Sequence, residues 1–244
     1  MSFRRMVRHL LCVPAVFAVG LPCQAGYLSI DAFTAPTQVL VTNGPSVLFD
    51  YTNSAGALGV ERELLLAVTN DGFGLYAAVA ELLVDGLEYD QNASGRGYVQ
   101  AIYDGQDGSS NLNFSGLGDF DLTQSGANDQ FQIRGGADIA NGEIIVTVYS
   151  SASDYSRQVL SVPAGTDFTY TNFYFSFVGM TDFGAGADFT QVNAIVLELN
   201  GLKASSVEMG VDLFLAIPEP FAVWPVAGMA CVVLLGRRLR RRAK

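Results

Sequence analysis

The 244-residue sequence predicts an all-β protein, an antiparallel β-sandwich of jelly-roll type, with an apolar segment outside it at each end. Three observations lead there. Short runs alternate apolar and polar residues. Glycine- and aspartate-rich turns separate them. No stretch between residues 26 and 217 carries a long apolar period of 3.6, the mark of a helix.

Val47–Tyr51 is the first clear strand, followed by Arg62–Val68 and Gly97–Tyr103. Asn141-Gly142 is a turn signal, and Ile144, Val146 and Val148 then share one face. Thr171–Gly179 alternates Phe173, Phe175 and Phe177. Ala194–Leu199 follows, and 205–216 alternates Val207, Met209, Val211, Leu213 and Leu215. The stretches 70–74, 103–111, 115–121, 134–138 and 182–188 read as turns. Several short strands with such spacing favour a sandwich over a parallel sheet. Residues 26–217 suit one domain, long enough to bury a core without disulfides.

The ends read as addresses. Arg4, Arg5 and Arg8 precede an apolar run over 10–21, and Cys23-Gln24-Ala25 places small residues at −3 and −1 of a cleavage site. This is a secretory signal peptide over residues 1–25, cut between Ala25 and Gly26. At the other end, 221–236 is apolar and uncharged, and Arg237, Arg238, Arg240, Arg241, Arg242 and Lys244 follow it. Sixteen helical residues span about 24 Å, short of a bilayer core, and long basic side chains can reach outward to extend them. Basic residues stay on the cytoplasmic side. Both ends therefore predict one topology, with the body outside and the tail inside.

Pro218-Glu219-Pro220, the apolar span 221–236 and the basic residues 237–244 together resemble the PEP-CTERM sorting signal of Gram-negative bacteria. The resemblance covers 217–244. It implies recognition by an exosortase, a membrane protease-transpeptidase, with cleavage near the motif after signal peptidase has removed the leader. It also implies an inner-membrane-anchored precursor, then a place at the cell surface or in the extracellular matrix, associated with exopolysaccharide or biofilm. The body's "DAFT", "VEREL", "GLGDFDLT" and "DFTQVNAIVLELNG" are similar to PEP-CTERM proteins with jelly-roll bodies, a likeness that carries no catalytic residue.

Composition narrows the chemistry. Cys12, Cys23 and Cys231 all lie in the ends, as does His9, the one histidine. The body therefore has no disulfide framework, no Ser-His-Asp or Cys-His catalysis of the usual kind, and no His/Cys zinc site. Nine of the fourteen basic residues also lie in the ends. The body keeps Arg62, Arg96, Arg134, Arg157 and Lys203 against twenty-three acids, a net charge of −18. That surface repels nucleic acid and attracts divalent cations.

The leading expectation is a non-enzymatic surface or matrix protein, with no catalytic residues and no obligatory cofactor. A carbohydrate- or calcium-binding module is the alternative. Asp104 and Asp107, with Ser109 and Asn111 on the same loop, and Asp119 and Asp121 are candidate calcium ligands, because hard oxygens on glycine turns suit that ion. Asx turns explain the same residues without metal. Tyr98, Tyr103, Tyr155 and Tyr170 are candidate exposed rings for sugar contact. A two-carboxylate glycan hydrolase is the second alternative, with Glu61/Glu63 and Asp119/Asp121 as pairs on a strand face.

Overall fold

Alternation and turns build two seven-stranded antiparallel sheets in the computed structural model. It describes residues 26–34, 36–70, 78–83, 86–166, 169–204 and 206–219. The predicted signal peptide, the transmembrane segment, Pro220 and the arginine cluster lie outside these residues. Among the described residues no helix is long and apolar enough to cross a membrane.

The strands are β1 (Leu28–Asp31), β2 (Gln38–Thr42), β3 (Ser46–Asn53), β4 (Glu61–Val68), β5 (Ala78–Leu83), β6 (Gly86–Gln91) and β7 (Gly97–Tyr103). Then come β8 (Gln130–Ala137), β9 (Glu143–Tyr149), β10 (Tyr155–Ser161), β11 (Thr171–Ser176), β12 (Thr181–Phe183), β13 (Ala194–Asn200) and β14 (Glu208–Ile217). One sheet runs β11-β8-β14-β6-β5-β2, with β1 also paired to β14. The other runs β12-β10-β9-β13-β7-β4-β3. The chain crosses between sheets after β2, β4, β6, β7, β8, β10, β11 and β13, so most sheet neighbours are distant in sequence. All seven strands named from the sequence are present.

The core lies between the sheets. Ile144, Val146 and Val148 of β9 and Ile195, Leu197 and Leu199 of β13 are fully buried there. They face Phe131 and Ile133 of β8 and Phe214 of β14. Phe131 packs edge-on against Phe177 with ring centroids 4.9 Å apart. Burying each such side chain contributes about 1.5–3 kcal/mol.

Two expectations fail, each for a local reason. The alternation of β14 does not run through to its end. Val207, Met209 and Val211 are buried, but the register shifts between Val211 and Leu213, and Phe214 and Ala216 face the core instead. One extra residue in a bulge exchanges the faces of everything beyond it. The bulge turns Asp212 toward Arg134, whose Nε and Nη2 each donate to a carboxylate oxygen at 2.6 Å. The second failure is 134–138, read as a turn. Gly135 and Gly136 lie inside β8, between β11 and β14. A Cβ on Gly135 would come within 2.5 Å of the Gly210 carbonyl oxygen, so glycine marks a close approach of backbones rather than a bend.

Arg62 is fully buried on the inner face of β4. Its Nη1 lies 2.7 Å from Asp31 Oδ2, and both side chains are wholly enclosed. Its Nε donates to Gln38 Oε1 at 3.1 Å and its Nη2 to the Pro36 carbonyl at 3.2 Å. The Tyr103 hydroxyl and the Phe33 amide also donate to Asp31. Tyr103 is thus a core residue and not an exposed ring.

Candidate functional site

Strand alternation puts Glu61 and Glu63 on the face of β4 opposite Arg62. That face of the β12-to-β3 sheet points away from the core, and two features occupy it. One is a groove over β10, β9, β13 and β7. The other is a loop, 104–118, lying across β3 and β4.

The groove encloses about 310 Å³, at the lower end of the range for ligand clefts. Register builds it in rungs. In the first, Phe183 of β12 opposes Tyr155 of β10, which opposes Tyr149 of β9. Tyr155 and Phe183 stack with centroids 4.6 Å apart and planes 9° apart. Tyr149 lies 5.1 Å from Tyr155, and Phe114 of the loop meets Tyr149 at 5.4 Å. The next rung is Arg157, Thr147 and Val196. Arg157 enters no ion pair among the described residues. In the third, Gln100 opposes Glu198 and donates to it at 2.7 Å, while Asn200 donates to the other oxygen at 2.6 Å. Leu112 of the loop completes the lining. The arrangement is a strip of rings beside a row of donors and acceptors, able to hold a ligand with one flat apolar face and a hydroxylated edge. Desolvation and the neighbouring Tyr155 raise the Tyr149 phenol above its ordinary range, so it remains a hydrogen-bond donor near neutral pH.

The loop begins where β7 ends. Gly105 has φ of 95°, which favours glycine, and a Cβ on Gly116 would collide with the Asp104 carbonyl oxygen. Those two glycines let the loop close on itself. Its amides then turn down onto the sheet. Asp107 and Gly108 both donate to Glu61 Oε1, at 3.0 and 2.8 Å. Ser109 donates to Glu63 Oε1 at 3.2 Å, and Asn113 to Asp104 Oδ2 at 2.6 Å. Glu61, Glu63 and Asp107 each bring a carboxylate oxygen within 4.8 Å of the others. Glu63 Oε2 and Asp104 Oδ1 are buried with no hydrogen-bond partner. Burial, then the Asp104 charge, push the Glu63 carboxyl up to about 9. Burial likewise pushes Asp104 up to about 6, against the pull of the Asn113 amide.

The candidate calcium ligands therefore divide. Asp107 comes together with Glu61 and Glu63, and Asp104 is a charged neighbour of Glu63 on the same loop. Asp119 and Asp121 do not join them and do not lie on a strand. Asp119 has φ of 57° and accepts from Asn193 Nδ2 at 2.9 Å. Asp121 caps a turn, accepting from the Thr123 amide and hydroxyl and from the Ser125 amide. Ser109 and Asn111 serve the loop's own turns. Of the sorting motif, Pro218 and Glu219 follow β14 directly, and the Pro218 carbonyl accepts from Gln130 at 3.2 Å. Gly26 opens the described residues and Ala25 falls outside them. Sequence reasoning missed Tyr149, Phe183, Arg157 and Glu198. The available signal was the alternate spacing of Thr147/Tyr149 and Tyr155/Arg157 on either side of a tight turn.

No protein-family model and no curated protein matches the chain. Solved structures resemble it in backbone course. A family 11 carbohydrate-binding module of the cellulosomal cellulase Lic26A-Cel5E of Clostridium thermocellum is 10% identical, covering 79% of this chain and 95% of its own, with a TM-score of 0.41. A family 29 carbohydrate-binding module is 9% identical, covering 75% and 91%, with a TM-score of 0.35. PfGH50B is 11% identical, covering 64% of this chain and 22% of its own, with a TM-score of 0.40.

Proposed function

We propose that the protein is an exported, non-enzymatic surface protein whose sandwich body binds carbohydrate in the groove over β10, β9 and β13, and that its C-terminal segment is a PEP-CTERM signal handled by an exosortase. The binding reading is carried by one observation: the strip Phe183–Tyr155–Tyr149 beside Arg157, Gln100 and Glu198. Pyranose rings offer a C–H face to such rings and hydroxyls to such a row. Among the residues lining the groove Glu198 is the one carboxylate, and a two-carboxylate hydrolase needs a pair about 5–9.5 Å apart. Glu61 and Glu63 offer no substitute, because both are buried under the 104–118 loop.

The test is retardation of the protein in native gels containing β-glucan, mannan or the host's own exopolysaccharide. At least one polymer retards the wild type, and Tyr155→Ala weakens retention about tenfold or more while leaving thermal unfolding nearly intact. Equal migration of wild type and variant in every polymer sinks the reading.

The sorting reading rests on the motif at 218–220, the apolar span and the terminal arginines. It predicts that protein recovered from its host begins near Gly26 and lacks 237–244, and that changing Pro218, Glu219 and Pro220 to Ala restores the tail's mass. A wild-type protein that keeps the arginines is a plain membrane-anchored one.

A further inference from the structure

We propose that Glu61, Glu63 and Asp107 form a calcium site that fastens the 104–118 loop across β4 beside the groove. Calcium takes oxygens at about 2.3–2.6 Å, so two ligands of one ion lie at most about 5 Å apart. The oxygens of Glu61, Glu63 and Asp107, mutually within 4.8 Å, meet that limit. Proximity of acids alone means little. The second observation is that Glu63 and Asp104 are both fully buried, and each has an enclosed oxygen with no donor. An enclosed carboxylate oxygen without a donor, as on Glu63 within the group and on Asp104 of the same loop, demands a positive partner or a proton.

Among the described residues no ion pair brings a side-chain cation to these carboxylates. Arg62, the nearest in sequence, is committed to Asp31 on the other face of the strand. The neighbouring loop amides satisfy Glu61 Oε1, Glu63 Oε1 and Asp104 Oδ2 and leave the other two oxygens bare. Calcium suits the donor set better than a transition metal, since every donor is a hard oxygen and the body has neither His nor Cys. The consequence is mechanical. Ligands from β4 and from the loop would share one ion, so the loop that supplies Leu112 and Phe114 to the groove is held down by it.

The test titrates calcium chloride into chelator-stripped full-length protein by calorimetry, alongside hydrogen exchange of the loop amides. One calcium binds per chain, and the amides of Asp107, Gly108, Ser109 and Asn113 exchange at least about tenfold more slowly with it. Glu63→Gln/Asp107→Asn lowers the affinity at least about tenfold, while Asp119→Asn/Asp121→Asn leaves it unchanged. Glu63→Gln is isosteric with the buried carboxyl and keeps the oxygen that Ser109 needs, so the variant folds. The proposal is overturned by absence of binding heat, by undiminished affinity in the Glu63/Asp107 variant, or by magnesium chloride binding as tightly as calcium. Calcium uptake without polysaccharide retention keeps this site and removes the glycan reading, and the reverse result does the opposite.

Discussion

Strand β4 carries opposite electrostatic solutions on its two faces. Inward, Arg62 meets Asp31, Gln38 and the Pro36 carbonyl, and Tyr103 and Phe33 complete the carboxylate. Outward, its neighbours Glu61 and Glu63 meet Asp104 and Asp107, four acids with two oxygens left bare. The inner network closes on itself and needs nothing from outside. The outer one does not close. The lesson is that burial alone does not mark a functional group; an unclosed set of charges does.

The largest effect comes from breaking the inner set. Arg62→Ala leaves Asp31 charged and enclosed, at a cost of about 3–5 kcal/mol in urea denaturation. Arg62→Lys recovers little, because one ammonium cannot serve partners spread over β1, β2 and the chain between them. A loss under about 1 kcal/mol would mean that the closed network is dispensable.

The outer set gives a smaller effect of opposite sign. In calcium-free protein Glu63→Gln raises stability by about 1–2 kcal/mol or more at pH 8, because the native wild type must hold a proton on a buried carboxyl that the unfolded chain leaves ionised. The same group sets a pH slope. Its carboxyl rises from an ordinary 4.5 to about 9 on folding, so between those values the native state holds a proton that the unfolded chain has released. The contribution of Glu63 is full below about pH 4.5 and is lost as pH climbs toward 9. Asp104 adds to the fall between an ordinary 3.8 and about 6. Asp121, Asp154 and Asp188, held below 3.8 by their hydrogen bonds, act oppositely and only in stronger acid. Urea midpoints from pH 5 to 9 should decline for wild type and flatten in Glu63→Gln; parallel curves would refute the assignment.

The smallest effect belongs to Arg134 and Asp212, an ion pair at 2.6 Å whose arginine is about half exposed. Arg134→Ala should change stability by no more than about 1 kcal/mol despite ideal bidentate geometry. A cost near that of Arg62→Ala would erase the distinction between closed interior and solvated surface.

Strands with strong apolar alternation, such as β9 and β13, were legible in the sequence because both pack within one deep core. β1 and β12 are only four and three residues long, too short for a period to show. β8 was hidden by Arg134-Gly135-Gly136, since local turn propensity cannot reveal a neighbouring backbone. Asp104 and Asp107 were legible as a pair because they share a loop. Their union with Glu61 and Glu63 depends on the pairing of β4 with β7, in which Glu63 opposes Ile102, and pairing register is not written in either strand alone. The groove was hidden for the same reason, its rungs being drawn from strands up to about a hundred residues apart.

Strand β14 has a consequence in time. It is the last strand of the body, yet it lies in the middle of its sheet, hydrogen-bonded to β1, β6 and β8. Ribosomes deliver the chain from the N-terminus at about 5–20 residues per second. Until residue 217 emerges, one sheet has a gap through its centre and two unpaired edges face each other across it. The sandwich therefore closes in a final step, when its last ten residues arrive. A nascent chain stalled anywhere before that point would expose the core and invite other chains to fill the gap.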